Sequence, residues 1–147
     1  MPMTIAQLRK VAAPYHSLWV ADFVVNLRFR LELGDESDFP EARSVAYTEE
    51  SPRGLVIFYR PAALELLSRD QLLGVLFHEL GHVFELTYGE AAAREVLTAC
   101  GVRPSALEER RADQLAGAVF GHPIRYDGYL VQTIGRGAYA VRPRGLG

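Results

Sequence analysis

His78-Glu79-Leu80-Gly81-His82 sets two imidazoles one turn apart on the same face of a helix, with a carboxylate about 100° around from the first. Two such imidazoles suit a zinc ion, and the carboxylate suits a base acting on a water beside it. A catalytic zinc takes three protein ligands and keeps its fourth position for water, so one ligand remains to be found. Glu109-Arg110-Arg111-Ala112-Asp113 offers two more carboxylates one turn apart. Glu109 can serve as the third ligand, while Asp113 accepts the other ring N–H of a ligand histidine, fixing its tautomer and raising its basicity. Plainer readings stand beside these: two core histidines bonded to neighbours, and an acidic surface face paired with Arg110 and Arg111.

Chemistry of this kind needs rigid elements behind it. Ser68 and Gln71 have capping-box spacing, Asp70 sits in the first turn and Gly89 stops the run, so a helix is expected between them. Leu72, Leu73, Leu76, Phe77, Leu80, Val83 and Phe84 cover most of its circumference, which marks it as buried on nearly all sides. Gly74 and Gly81 fall on the histidine face and leave room for a backbone or a ligand. Downstream, Ser105 and Glu108 repeat the capping-box spacing ahead of an apolar stripe running to Phe120, with Ala112 and Ala116 keeping that helix slim.

Upstream, Val24 to Leu33 alternates apolar and polar residues as a half-buried strand does. Ser44 to Thr48 is a weaker strand candidate broken by Glu49-Glu50-Ser51-Pro52, and Gly54 to Tyr59 is a compact β-rich run. Three strand candidates before the buried helix imply an α+β fold, with a small, mostly antiparallel sheet packed on the metal-binding helix and further helices after it. Thr4 to Ala13 and Glu90 to Cys100 carry helical spacing. Gly34 to Asp38 reads as a solvated acidic turn, His16 as a satisfied or exposed histidine, and Tyr126 to Ile134 as a strand or short helix.

With 147 residues, the chain is expected to form a single domain over 1–147, burying about two thirds of its unfolded surface, with 121–147 as a loose, mildly basic tail. Its 49% apolar and 23% charged residues and formal charge of -2 match ordinary soluble proteins, so nothing points to nucleic acid or a membrane surface. No apolar run approaches a membrane span. Cys100 is the single cysteine, which excludes an intrachain disulfide and suits a reducing, cytoplasmic setting.

His78-Glu79-x-x-His82 followed by Glu109-x-x-Ala112-Asp113-x-Leu115-Ala116 resembles the gluzincin group of zinc metallopeptidases, and within it the small ImmA/IrrE-type family. The resemblance spans roughly Leu55 to Phe120. It implies a zincin-like fold and a zinc endopeptidase with Zn²⁺ on His78, His82 and Glu109, Glu79 as catalytic base and Asp113 behind a histidine. The implied substrate is a protein or peptide, such as an intracellular regulator. It also implies that Leu55-Val56-Ile57-Phe58 is an edge strand on which a peptide lies extended, although the apolarity of the run also fits a place in the middle of the sheet. By position in the chain alone, Tyr126, Tyr129 and His122 are candidates to stabilise an oxyanion. A third histidine of the metzincin kind is missing between Val83 and Ala93, Cys100 lies on the wrong side for a deformylase, and a SprT-like arrangement would use His122. A different class remains: a zinc-stabilised binding or regulatory module that cuts nothing, for which Glu79 would have no use.

Overall fold

The computed structural model describes residues 3–39, 45–123, 129–133 and 140–143, the last two spans as backbone only. Helix α1 (Ile5–Ala12) starts from a reciprocal cap between Thr4 and Gln7 and buries Leu8 and Ala12. Pro14 ends it in a short 3-10 turn. Strands β1 (Ser17–Val20) and β2 (Phe23–Asn26) then pair as a hairpin whose turn holds Ala21 at φ 51°, in the left-handed region. Strand β3 (Phe29–Leu33) follows after two residues. The alternation from Val24 to Leu33 therefore belongs to two strands in two different sheets. Its burial is largely as expected, because Val25, Leu27, Phe29 and Leu31 are buried, while Leu33 at the end is 47% exposed. His16 is satisfied: its Nδ1 lies 3.0 Å from the Leu27 carbonyl oxygen and its ring stacks on Phe29.

Strands β4 (Ala46–Ser51) and β5 (Gly54–Tyr59) form a tight antiparallel hairpin closed at Gly54, which has φ 112°. Glu49 and Glu50 do not break β4, because they lie exposed and incur no burial cost there. On its other side β5 pairs in parallel with β3, from Phe29 opposite Leu55 to Leu33 opposite Tyr59. The sheet order is β3-β5-β4, so this sheet is mixed and not mostly antiparallel. A central strand covered on both faces has no polar face to show, which accounts for the unbroken run Leu55-Val56-Ile57. The turn at Gly34–Asp38 is more than solvated: Glu36 accepts from Arg60 Nε at 2.6 Å and from the Ala62 amide at 3.0 Å. That ties the chain leaving β3 to the start of α2 (Pro61–Leu66).

Helix α3 (Arg69–Tyr88) has the Ser68/Gln71 box and the Gly89 end that its sequence calls for. It buries Leu72, Leu76, Phe77, Leu80, Val83 and Phe84. Helix α4 (Glu90–Ala99) follows with the Glu90–Arg94 ion pair at 2.8 Å, then α5 (Glu108–Ala118). The Ser105/Glu108 cap does not form. The approach to α5 is held instead by Gln114, which donates to the Arg103 carbonyl and accepts from the Ser105 amide, and by Arg111, which donates to the Ser105 and Ala106 carbonyls. Strands β6 (Tyr129–Thr133) and β7 (Ala140–Pro143) pair as an antiparallel hairpin, so the tail is not wholly loose. Among the described residues no helix is long and apolar enough to cross a membrane.

Arg111 is only 3% exposed, and its Nε and Nη2 donate to the two carboxylate oxygens of Glu85 at 2.8 and 2.9 Å. It clamps α5 to the last turn of α3. Breaking a buried pair strands the remaining charge, at about 3–5 kcal/mol. Arg111→Ala should therefore lower the unfolding free energy by that order in urea titration. A loss under about 1 kcal/mol would contradict the clamp.

Candidate metal centre

Helices α3 and α5 meet at backbone contact. A Cβ built on Gly81 would overlap the Ala112 carbonyl oxygen and lie 2.9 Å from the Ala112 carbonyl carbon and Cα. With no side chain at 81 and only methyl groups at Ala112 and Ala116, α5 comes close enough for short carboxylates to reach the histidine face. Glu109 Oε2 lies 3.0 Å from His78 Nε2 and 2.9 Å from His82 Nε2, and the two Nε2 atoms are 3.1 Å apart. Asp113 Oδ1 stands 2.6 Å from His78 Nδ1. An ionised carboxylate only accepts, so the Nδ1 proton of His78 is fixed there and Nε2 is turned toward Glu109 and His82.

Three donor atoms about 3 Å from one another match the spacing around a small cation. Ligand atoms at about 2.0–2.1 Å from a tetrahedral zinc are about 3.3 Å apart, and two imidazole nitrogens with one carboxylate oxygen are ligands zinc accepts. The electrostatics agree. Burial alone would lower the His78 pKa, yet hydrogen bonds to Asp113 and Glu109 and the charge of Glu79 raise it to about 10. His82 is raised in the same way despite burial, chiefly by Glu109. The Glu109 carboxyl is held well below the usual carboxylate range by the two imidazoles. Together these directions mean that the cluster favours positive charge between the nitrogens, whether protons or a cation supply it.

Glu79 is set apart from this triangle. One of its oxygens lies within 4.8 Å of the histidine donors, so it borders the centre. Glu79 is only 5% exposed, and its charge helps burial raise the pKa of the fully buried Tyr59 of β5. Burial raises the Glu79 pKa, and the two imidazoles and Thr48 pull it part of the way back. Glu109, in bonding distance of both nitrogens, is the better third donor, and Glu79 lies beside the centre.

The remaining candidates divide. Arg111 turns away to Glu85, so it is not the partner of the Glu109 and Asp113 carboxylates, which meet the imidazoles instead. His122 stacks on Phe77 with ring centroids 4.3 Å apart, and burial lowers its pKa. Phe77 points about 100° away from His78, so the ring stacked on it lies to the side of the histidine face. Tyr126 lies outside the described residues, as does the side chain of Tyr129. Leu55, Val56, Ile57 and Phe58 form the central strand with both edges paired, so a peptide cannot add to them, and the expected edge role is wrong. The outer strand on that side is β4.

Competition titration with a chromophoric zinc chelator checks the donor set. Glu109→Ala should lose most of the affinity, and Asp113→Asn about ten- to a hundredfold. Gly81→Ala should weaken binding as α5 is pushed off, whereas His122→Ala should leave it unchanged. Loss of zinc in His122→Ala with retention in Glu109→Ala would reverse the assignment. No family model, curated protein or solved structure matches this chain, and the geometry of the site is what bears on its function.

Proposed function

We propose that this protein is a zinc-dependent peptidase with a zincin-like arrangement, in which His78, His82 and Glu109 hold the metal and Glu79 is the catalytic base. The observation that carries this reading is the convergence of Glu109 Oε2 and both Nε2 atoms, at 2.9–3.1 Å, beside a buried carboxylate outside the triangle. When bound, zinc supplies a Lewis acid that brings the pKa of water toward about 7 and polarises a carbonyl. Glu79 takes a proton from the attacking water as its oxygen bonds to the scissile carbonyl carbon, and gives that proton to the amine nitrogen as the C–N bond breaks. Asp113 holds the His78 ring and its tautomer, and Glu109 contributes the one negative charge among the ligands.

The substrate in this reading is an extended peptide lying along the outer edge of β4, whose inner edge is taken by β5. Strand addition there satisfies backbone N–H and C=O groups with little demand on sequence. It brings the scissile bond between β4 and the histidine face of α3. Glu79 also bears on the rival view of a purely structural metal module: such a site closes its coordination with protein ligands and has no use for a buried base.

The test separates binding from chemistry. Glu79→Gln keeps the shape and should hold about one zinc per chain while hydrolysis of an unstructured protein substrate falls by about a hundredfold or more, the low end for a positioned general base. Zinc loss in that variant would make Glu79 a ligand. Undiminished hydrolysis would remove it as the base.

A further inference from the structure

We propose that the cavity beside Asp113 is a carboxylate subsite, in which Arg103 and Arg110 bind an acidic group of the substrate and so set where its chain lies across the metal. The inference deepens the peptidase reading and rests on it. A cavity of about 500 Å³ is lined by Arg103, Pro104, Ser105, Arg110, Asp113 and Gln114. Ligand pockets begin at about 300 Å³, so a side chain and part of its backbone fit. Asp113 joins the cavity to the centre, because its Oδ1 stands 2.6 Å from His78 Nδ1. Arg110 directly follows Glu109 on α5, so a group seated between the arginines is carried next to the metal donors.

The walls of this cavity are tied together. Gln114 accepts from the Ser105 amide at 2.9 Å and donates to the Arg103 carbonyl at 2.8 Å, and Arg111 donates to the Ser105 and Ala106 carbonyls. The segment carrying Arg103 is thereby fixed against the helix carrying Arg110. Neither Arg103 nor Arg110 makes an ion pair among the described residues. The one acid in the lining, Asp113, is committed to His78, so the lining has an excess of positive charge. On a chain of formal charge -2, that is no by-product of a basic surface. Two guanidiniums on one cavity repel, and an anion between them relieves the repulsion. Their paired N–H donors match the two oxygens of a carboxylate. The Asp113 charge on the same wall favours a singly charged carboxylate over a phosphate, which brings nearly two charges. A peptide offers carboxylates from two sources, an Asp or Glu side chain and its own C-terminus.

Fluorescence anisotropy on the zinc-loaded full chain carrying Glu79→Gln reads binding without cleavage. The probes are labelled peptides of one neutral sequence: the amidated parent, a set of amidated peptides with a single Glu at each position in turn, and the parent with a free terminal carboxylate. Glu at one position, or the free terminus, should tighten binding about tenfold over the neutral parent, as one charge-assisted pair does. Which of the two gains tells a side chain from a terminus. Adding Arg103→Gln and Arg110→Gln together should reduce that preference to within about twofold. If that protein does not fold, Arg110→Gln alone, at an exposed position, gives the same contrast. Equal binding of charged and neutral peptides, a preference that survives loss of the arginines, or no binding of any peptide would overturn the proposal. If the wild-type protein hydrolyses nothing, the peptidase reading fails by itself, and the same titration on the wild type decides the cavity.

Discussion

The backbone contact between Gly81 of α3 and Ala112 of α5 is the constraint on which the rest of this structure depends. Glutamate and aspartate side chains are short. From an ordinary helix spacing of about 8–10 Å, their reach to a neighbouring helix depends on the side chains between. Removing the Cβ at position 81 lets Glu109 and Asp113, one turn apart on α5, meet the two histidines, one turn apart on α3. The same helix is held from a different direction by Arg111, which binds both Glu85 oxygens and so fixes where α5 lies along α3. One helix thus delivers two carboxylates to the centre and one guanidinium to the clamp.

Bringing Glu79, Glu109 and Asp113 around two imidazoles has a cost that only positive charge offsets. The raised pKa of Glu79 expresses that cost, while the raised histidine values and the depressed one of Glu109 show imidazolium and carboxylate stabilising each other. A cation held between the nitrogens relieves all three carboxylates together. A cation taken up by the folded chain alone would stabilise it in proportion to the logarithm of its concentration over Kd. The clamp and the core must carry the fold in the absence of metal, and the apolar surround of α3 accounts for that, since Leu72, Leu76, Leu80 and Val83 are fully buried.

Much of this was legible in the sequence because it is local. The capping residues of α3, its all-round apolar surface, the spacing of His78 and His82, and the spacing of Glu109 and Asp113 are helix properties readable from positions three and four apart. Gly81 was legible as a close approach, though not its partner. Strand pairing was less so. Alternation says which face is buried and not which strand lies alongside, so Val25 to Leu31 kept its pattern while crossing from one sheet to another. The run Leu55 to Phe58 looked like an edge only by analogy, and its unbroken apolarity was the mark of a central strand. The cap at Ser105 failed because Gln114 and Arg111, distant in sequence, claimed the backbone around it.

The central claim concerns what these donors hold and how many there are. X-ray absorption at the zinc edge on the purified, zinc-loaded protein reads this directly. The account predicts two imidazole nitrogens at about 2.0–2.1 Å with oxygen ligands from one carboxylate and solvent, and one imidazole component lost in His82→Ala. A zinc closed by four protein ligands, or a protein that holds no zinc at all, would contradict it.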